Sequence, residues 1–421
     1  MDRRNRGHRR PSRASRAARA GVVAALIAGG GAAIAATSLG LHFARRVLTP
    51  ARRPEAGVEV LAVDAGGSSG LPTVRLRGPD AALQGRYSFI FDGGAHHARL
   101  GPAVSGPSAA GAGSDVPGGG VVRTIVGEDR GRLRAGARGR VTGWWFTDPN
   151  ELGLEVDSVE IPVEGGLAPA WQIGPAPGSA VVGRWAVHVH GRGALPEEVL
   201  RGVAPVARAG TTSLVIAYRN DPGAPRGQHG RYGLGLAEQR DVDAAIAWAR
   251  ERGAERVTLV GWSMGGTASL LAATRGPHRG RIDGIVLDSP AVDWPGVLRH
   301  QALLAGAPKW VGALGSLALR LGVVRGAVPG ERGTDVSSLT PEAFAARLHV
   351  PVLIHASPDD SYVPWEGALR LARLRPALVT LRAARGEHVK LWNVDPEGWE
   401  RATEAFVREL RDPSRNSEAA H

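Results

Sequence analysis

The chain has 421 residues, 43% of them hydrophobic, and is long enough for more than one folded unit with its own core. It contains no cysteine, which excludes disulfides, thiolate nucleophiles and cysteine-ligated zinc. The net charge of +12 originates at the N-terminus, because residues 1–53 hold 12 arginines and one aspartate, whereas the other 368 residues hold 40 basic and 39 acidic side chains. The remainder is close to neutral, so composition gives no indication of nucleic-acid binding.

A basic tail, residues 1–19, precedes a run without formally charged side chains at 20–44. As a helix, these 25 residues would span roughly 37 Å, enough for a hydrocarbon core of about 30 Å. We therefore expect a single transmembrane helix that anchors the chain in a membrane. Eight arginines before the run against four just after it predict a cytoplasmic N-terminus and an external main domain. Cleavage of a signal peptide near residues 33–37, followed by secretion, is the alternative.

A small β-rich module is predicted at residues 57–153, where short runs with period-2 alternation are separated by turns. The runs are VEVLAV, TVRLR, RYSFIFD, HARLGPAV, GVVRTIVG and RGRVTGWWFTD. The module contains no recognisable site.

Strands alternate with helical patterns from residue 154 to 412, which predicts a mostly parallel sheet with helices on both faces. Eight strands are expected, at 155–163, 168–174, 184–191, 211–218, 256–262, 284–289, 350–356 and 377–384. The interval 292–348 breaks the alternation and is predicted to be a helical cap over a pocket. Residues 413–421 are predicted to form a disordered tail.

A candidate nucleophile, Ser263, lies between Gly261 and Gly265 in the sequence GWSMG, which fits the G-x-S-x-G pattern. The pattern alone has low specificity in a glycine-rich chain. Here it follows the apolar run VTLV and precedes the helical pattern TASLLAA, which is the strand–turn–helix context that the chemistry requires. The glycines are needed because a side chain at either position would collide with neighbouring backbone on this sharp turn.

A nucleophilic serine needs a histidine base that is held by a carboxylate. At a G-x-S-x-G turn between a strand and a helix, the expected chain order is serine, acid, histidine. His388 follows the last predicted strand, and Asp359 and Asp360 follow the strand before it. Asp360 is favoured over Asp359 because it stands four residues before a proline in DSYVP. Asp288 and Asp293 are weaker alternatives.

The oxyanion of such a reaction needs hydrogen-bond donors. The backbone N–H of Met264 is expected to be one donor, and that of Arg192, after the strand WAVHVHG, the other. His188 and His190 could instead be a metal-binding pair, but the sequence supplies no further ligands nearby. No metal or organic cofactor is expected.

From about residue 156 to 410 the chain resembles α/β-hydrolase-fold enzymes, through HVHGRG, GWSMGG, DDSYVP and GEHVKLWN. The elbow is similar to that of esterase-like and serine-peptidase-like members. The resemblance implies hydrolysis of an ester, thioester or amide in a small-molecule, acyl or peptide substrate through an acyl-enzyme. An esterase is favoured over a peptidase because of the apolar cap and the predicted membrane anchor. A non-catalytic binding protein of the same fold is the alternative outside enzymes, whereas a dinucleotide-binding protein would need a G-x-G-x-x-G run that is absent after the first strand.

Overall fold

A computed structural model describes residues 56–66, 70–104, 119–321 and 335–410, together with Leu39, Arg45, Leu48 and Thr49. The predicted transmembrane helix at 20–44 lies outside the described residues except for Leu39, and the tails at 1–19 and 413–421 lie outside them entirely. Within the described part, no helix has the length and apolar character needed to cross a membrane.

A closed six-stranded barrel forms the N-terminal unit, with the strand order β1-β2-β5-β4-β3-β6. Its strands are β1 Val58–Asp64, β2 Thr73–Arg77, β3 Tyr87–Phe91, β4 His96–Ala103, β5 Val121–Arg130 and β6 Arg138–Thr142. Alternating apolar residues of these strands fill the interior, as in β1, where Val58 and Val60 are buried and Glu59 between them is less so. The alternation seen in the sequence therefore becomes a barrel with its own core.

An eight-stranded sheet follows in the order β14-β13-β12-β11-β9-β10-β8-β7. Its strands are β7 Val156–Val163, β8 Gly166–Ile173, β9 Arg184–Val189, β10 Thr212–Ile216, β11 Arg256–Trp262, β12 Ile282–Asp288, β13 Val352–Ala356 and β14 Val379–Ala383. Strands β9 to β14 run parallel to one another, and β8 pairs antiparallel with both β10 and β7. The prediction of eight strands in a mostly parallel sheet is confirmed.

Helices cover both faces of this sheet. They are α1 Val203–Arg208, α2 Glu238–Glu251, α3 Met264–Arg275, α4 Trp294–Leu304, α5 Lys309–Arg320, α6 Pro341–Ala345, α7 Glu366–Leu374, α8 Leu391–Val394 and α9 Pro396–Glu409. Successive residues of β9 point to opposite faces, so that Val187 joins the core beneath α2 and α3, and Ala186 joins the core beneath α1 and α9. Each face thus buries its own apolar layer, and the carboxyl ends of the parallel strands are left to carry the site.

The helices α4, α5 and α6 occupy the interval predicted to be a cap, of which residues 322–334 lie outside the described part. Helix α4 reaches the loop after β13 through two side chains. His300 Nε2 lies 3.0 Å from the carbonyl oxygen of Ser361, and Gln301 Nε2 donates to that of Tyr362 at 2.9 Å. Helix α4 therefore supports a loop that carries two of the predicted acidic residues.

Candidate active site

Ser263 occupies the turn between β11 and α3, with φ 50° and ψ −116°. A non-glycine residue rarely adopts this conformation, and it stores strain where the surrounding structure enforces it. A Cβ atom on Gly261 would lie 2.8 Å from the carbonyl oxygen of Gly265, and one on Gly265 would lie 2.2 Å from that of Val189. Both glycines of the motif are therefore required by close approach of backbone to backbone.

His388 joins the serine to a carboxylate. Its Nε2 lies 2.9 Å from Ser263 Oγ, and its Nδ1 lies 2.7 Å from Asp360 Oδ2. All three residues follow strands at the carboxyl edge of the sheet, after β11, β13 and β14. The arrangement allows the hydroxyl to donate to Nε2 while Nδ1–H donates to the carboxylate, which fixes the tautomer of a general base. The parallel sheet, the strained turn and the order serine, aspartate, histidine together identify the α/β-hydrolase fold.

The four candidate acids lie in different environments. Asp360 is buried, and its second oxygen, Oδ1, accepts hydrogen bonds from the backbone N–H groups of Tyr362 and Val363. The side chain of Asp359 is 41% exposed and pairs with Arg385 on the surface.

The two weaker alternatives are engaged elsewhere. Asp288 is buried and accepts hydrogen bonds from Trp399 Nε1 and Ser289 Oγ, and Asp293 caps the N-terminus of α4 through Gly296 N–H. Burial raises the pKa of Asp288 to about 6, against the opposing effect of the nearby Arg201. Among these carboxylates, the one that the structure brings to His388 is Asp360.

The predicted oxyanion donors flank the serine. Met264 is the first residue of α3, so its N–H has no acceptor within the helix. Arg192 follows Gly191, where a Cβ atom would come within 3.2 Å of Ser263 Cβ. The N–H of Gly191 is itself held by the buried carboxylate of Glu198 at 2.8 Å. These contacts fix the loop beside the serine, and the donor roles of Met264 and Arg192 stay predictions.

His190 is not arranged as a metal ligand. Its ring is fully buried, with Nε2 2.8 Å from Asp221 Oδ2 and Nδ1 3.0 Å from the carbonyl oxygen of Gly191. Burial alone would lower the pKa of His190, but the charge of Asp221 and the hydrogen bond to it raise it above its usual value. His188, by contrast, contacts Ser213 Oγ, and burial lowers its pKa to about 3. His190 therefore ties the loop at Gly191 to the sheet.

The barrel contacts the loop that carries His388. Asn393 is fully buried at this junction and donates through Nδ2 to the carbonyl oxygens of Arg86 and Gly143, both in or near the barrel. Val389, next to His388, has φ 52°, a conformation that a β-branched residue seldom adopts. Its carbonyl accepts from Arg201 Nη1 at 3.0 Å. The barrel thus contacts and positions the segment that follows His388.

Several residues of this surrounding shell could not be read from the sequence. Glu198, Arg201 and Asp221 lie in no short motif, and their partners lie elsewhere in the chain. The one signal for Asn393 was its place at the end of the run GEHVKLWN, which did not indicate its partners.

A domain family described as "Domain of unknown function (DUF8805)" matches residues 59–142, which is most of the barrel. No curated protein matches the chain. Solved structures that resemble it include an esterase of Pyrococcus furiosus, with 19% identity, a TM-score of 0.46, and coverage of 63% of this chain and 95% of that one. Another is Est1E from Butyrivibrio proteoclasticus, with 18% identity, a TM-score of 0.43, and coverage of 60% and 98%. A hyperthermophilic esterase of Pyrobaculum calidifontis has 18% identity, a TM-score of 0.43, and coverage of 62% and 88%. Similarity this distant carries no information on what the chain acts on.

Proposed function

We propose that the protein is a serine hydrolase that cleaves carboxylic esters through an acyl-enzyme intermediate. The observation that carries this proposal is the position of His388, within 2.9 Å of Ser263 Oγ and 2.7 Å of Asp360 Oδ2. A serine, an imidazole and a buried carboxylate in this contact order have the geometry needed for nucleophilic catalysis.

In the proposed reaction, His388 Nε2 accepts the hydroxyl proton as Ser263 Oγ attacks the ester carbonyl carbon. The carbonyl π electrons move to oxygen, where the N–H groups of Met264 and Arg192 donate to the oxyanion, each contributing about 3 kcal/mol. Collapse of this intermediate expels the alcohol oxygen, which takes the proton from His388. Water then attacks the acyl-enzyme by the same steps and releases the acid. Throughout, Asp360 holds the imidazole and stabilises its positive form.

Esters are proposed ahead of peptides because the cap presents apolar side chains. Leu304 on α4 and Trp310 on α5 are 59% and 52% exposed. Exposed apolar side chains on a cap fit an acyl chain better than a hydrated peptide backbone. Peptide-bond hydrolysis is the second candidate within enzymes.

The first experiment is labelling of the full-length protein in detergent by a fluorophosphonate probe, beside the Ser263→Ala variant. We expect the parent to be labelled, the variant to remain unlabelled, and only the parent to hydrolyse 4-nitrophenyl esters of graded chain length. No labelling of a folded parent would favour the non-catalytic binding protein. Hydrolysis of peptide anilides at a higher kcat/KM than esters would favour the peptidase.

We also propose that residues 20–44 anchor the protein in a membrane with its N-terminus in the cytoplasm. The support is the absence of charged side chains from this run and the arginines on either side of it. Alkaline carbonate extraction of expressing cells tests the anchor, since an anchored chain stays with the membrane. Release of a shortened chain into the medium would favour cleavage and secretion.

A further inference from the structure

A cleft of about 910 Å³ lies between the barrel and the sheet domain. Ile90, Arg140 and Trp144 line it on the barrel side, and Gly193, Asn220 and Tyr232 line it on the other. Its volume is in the range of pockets that take small molecules. Neither unit alone would form this cleft, because each contributes one wall.

The cleft adjoins the candidate active site through one short loop. Gly191, at the start of this loop, lies against Ser263, where an added Cβ would approach Ser263 Cβ to 3.2 Å. Gly193, two residues later, lines the cleft, and its N–H donates to the hydroxyl of Tyr232 at 3.1 Å. A molecule that extends from the serine past this loop would therefore reach the cleft.

Arg140 gives the cleft its charge. This residue of β6 is partly buried, with its guanidinium 5.0 Å from the centre of the Trp144 ring, and no carboxylate among the described residues pairs with it. Burial lowers the pKa of Arg140. A guanidinium removed from water without a carboxylate partner is costly, and an anion supplies the missing interaction.

The opposite wall does not neutralise this charge. Asp221 lies there, but its carboxylate already accepts hydrogen bonds from His190 Nε2 and from the backbone N–H of Tyr218. Arg226 on the same wall is exposed, and within the described ranges it has no ion-pair partner. Among the described residues that line the cleft, two are arginines, one from each unit, and the one carboxylate, Asp221, is paired with His190.

We propose that this cleft binds an anionic group, a carboxylate or a phosphate, that the substrate carries at a distance from the scissile ester, with Arg140 as the cation that receives it. This inference rests on the proposed hydrolase function and specifies the class of its substrates. It also assigns the barrel a role, because Arg140 lies on β6 of the barrel and Trp144 follows that strand.

The test compares 4-nitrophenyl monoesters of succinic, adipic and suberic acids with the same esters in which the free carboxyl is an amide. At the favoured chain length, we expect the parent to hydrolyse the acid with a kcat/KM about tenfold or more above that of the amide. Arg140→Gln removes this preference, because kcat/KM for the acid falls to that for the amide. Arg138→Gln, an exposed arginine on the same strand, is the matched control and keeps the preference.

If the parent hydrolyses the amide esters and Arg140→Gln does not alter the acid-to-amide ratio of kcat/KM, the inference is overturned and the hydrolase proposal stays intact. Failure of the parent on every ester and with the fluorophosphonate probe would instead overturn the hydrolase proposal. If Arg140→Gln does not fold, Arg140→Lys replaces it, and its acid-to-amide ratio is expected to fall below that of the parent.

Binding without turnover gives an independent measurement. Isothermal titration of the full-length Ser263→Ala variant with suberate and with inorganic phosphate shows which anion the cleft takes. Adding Arg140→Gln should weaken that binding about tenfold or more. Equal binding with and without Arg140, or no binding of either anion, would contradict the proposal.

Discussion

Arg201 donates from a single nitrogen, Nη1, to Oδ1 of Asn393 at 2.6 Å and to the carbonyl of Val389 at 3.0 Å. Both acceptors belong to the segment that follows His388. The other side of Asn393 faces the barrel, where its Nδ2 donates to the carbonyl oxygens of Arg86 at 2.8 Å and Gly143 at 3.0 Å. Asn393 therefore links the barrel, the buried arginine and the histidine segment.

We expect Asn393→Ala to lower kcat about tenfold while KM changes little, because His388 would lose its alignment and substrate contacts would remain. The substitution removes the donor to two carbonyl oxygens and one of the two acceptors of Arg201 Nη1, which costs about 1–3 kcal/mol in the free energy of unfolding. Rates should be normalised to sites titrated with the fluorophosphonate, so that loss of folded protein does not count. Asn150→Ala, at an exposed asparagine, is the control. An unchanged kcat per titrated site would show that the contact is structural alone.

Asp360→Asn should reduce kcat by about 10³–10⁴, because an amide in place of the carboxylate favours the wrong tautomer of His388. Asp359→Asn should change kcat less than about twofold, since its surface pair with Arg385 is worth little. Steady-state hydrolysis of a 4-nitrophenyl ester by the two variants is the measurement. The reverse ranking would assign the acid role to Asp359.

The sequence allowed the sheet to be predicted because its central strands are buried on both faces and appear as apolar runs. RVTLVGW, for example, is the run at 256–262, and β11 has the same bounds. Ser263 could be selected because it directly follows such a run, and Asp360 and His388 because each lies in the loop after a predicted strand. The link between Asn393 and Gly143 could not, since these residues are 250 positions apart and meet only once the barrel docks. The cleft at Arg140 could not be predicted for the same reason. By itself, an arginine in a predicted strand indicates only a solvent-exposed edge of a sheet.

Asp221→Asn should lower the free energy of unfolding by about 3–5 kcal/mol near pH 6, because it leaves His190 buried and without its carboxylate partner. The pKa of His190 is raised in the folded protein above the unfolded value of about 6.5. The stability that this pair contributes is therefore complete below pH 6.5 and is lost as the pH rises through the folded pKa. Urea unfolding of parent and variant at pH 6 and pH 9 should show the larger difference at pH 6. A difference that grows with pH would mean that the histidine is neutral in the folded protein.

Asp243 provides a test of electrostatics away from the candidate site. It lies on α2, where Gln239 Nε2 donates to its Oδ2 at 3.0 Å and its Oδ1 is buried without a partner among the described residues. Burial raises the pKa of Asp243 to about 6 from its usual 3.8. Folding favours the protonated carboxyl. The ionisation of Asp243 therefore does not affect stability below about pH 4, lowers stability increasingly between pH 4 and pH 6, and keeps it lowered above pH 6.

Asp243→Asn should therefore raise the free energy of unfolding by about 2–3 kcal/mol at pH 7 and leave it almost unchanged at pH 4. An amide removes the charge, and it can still accept the hydrogen bond from Gln239. Asp157→Asn, at an exposed position on β7, makes the same change in net charge and should alter stability by less than about 0.5 kcal/mol at either pH. Urea unfolding at the two pH values measures both variants. Equal gains in the free energy of unfolding for the two variants at pH 7 would show that the effect comes from net charge and not from the burial of Asp243.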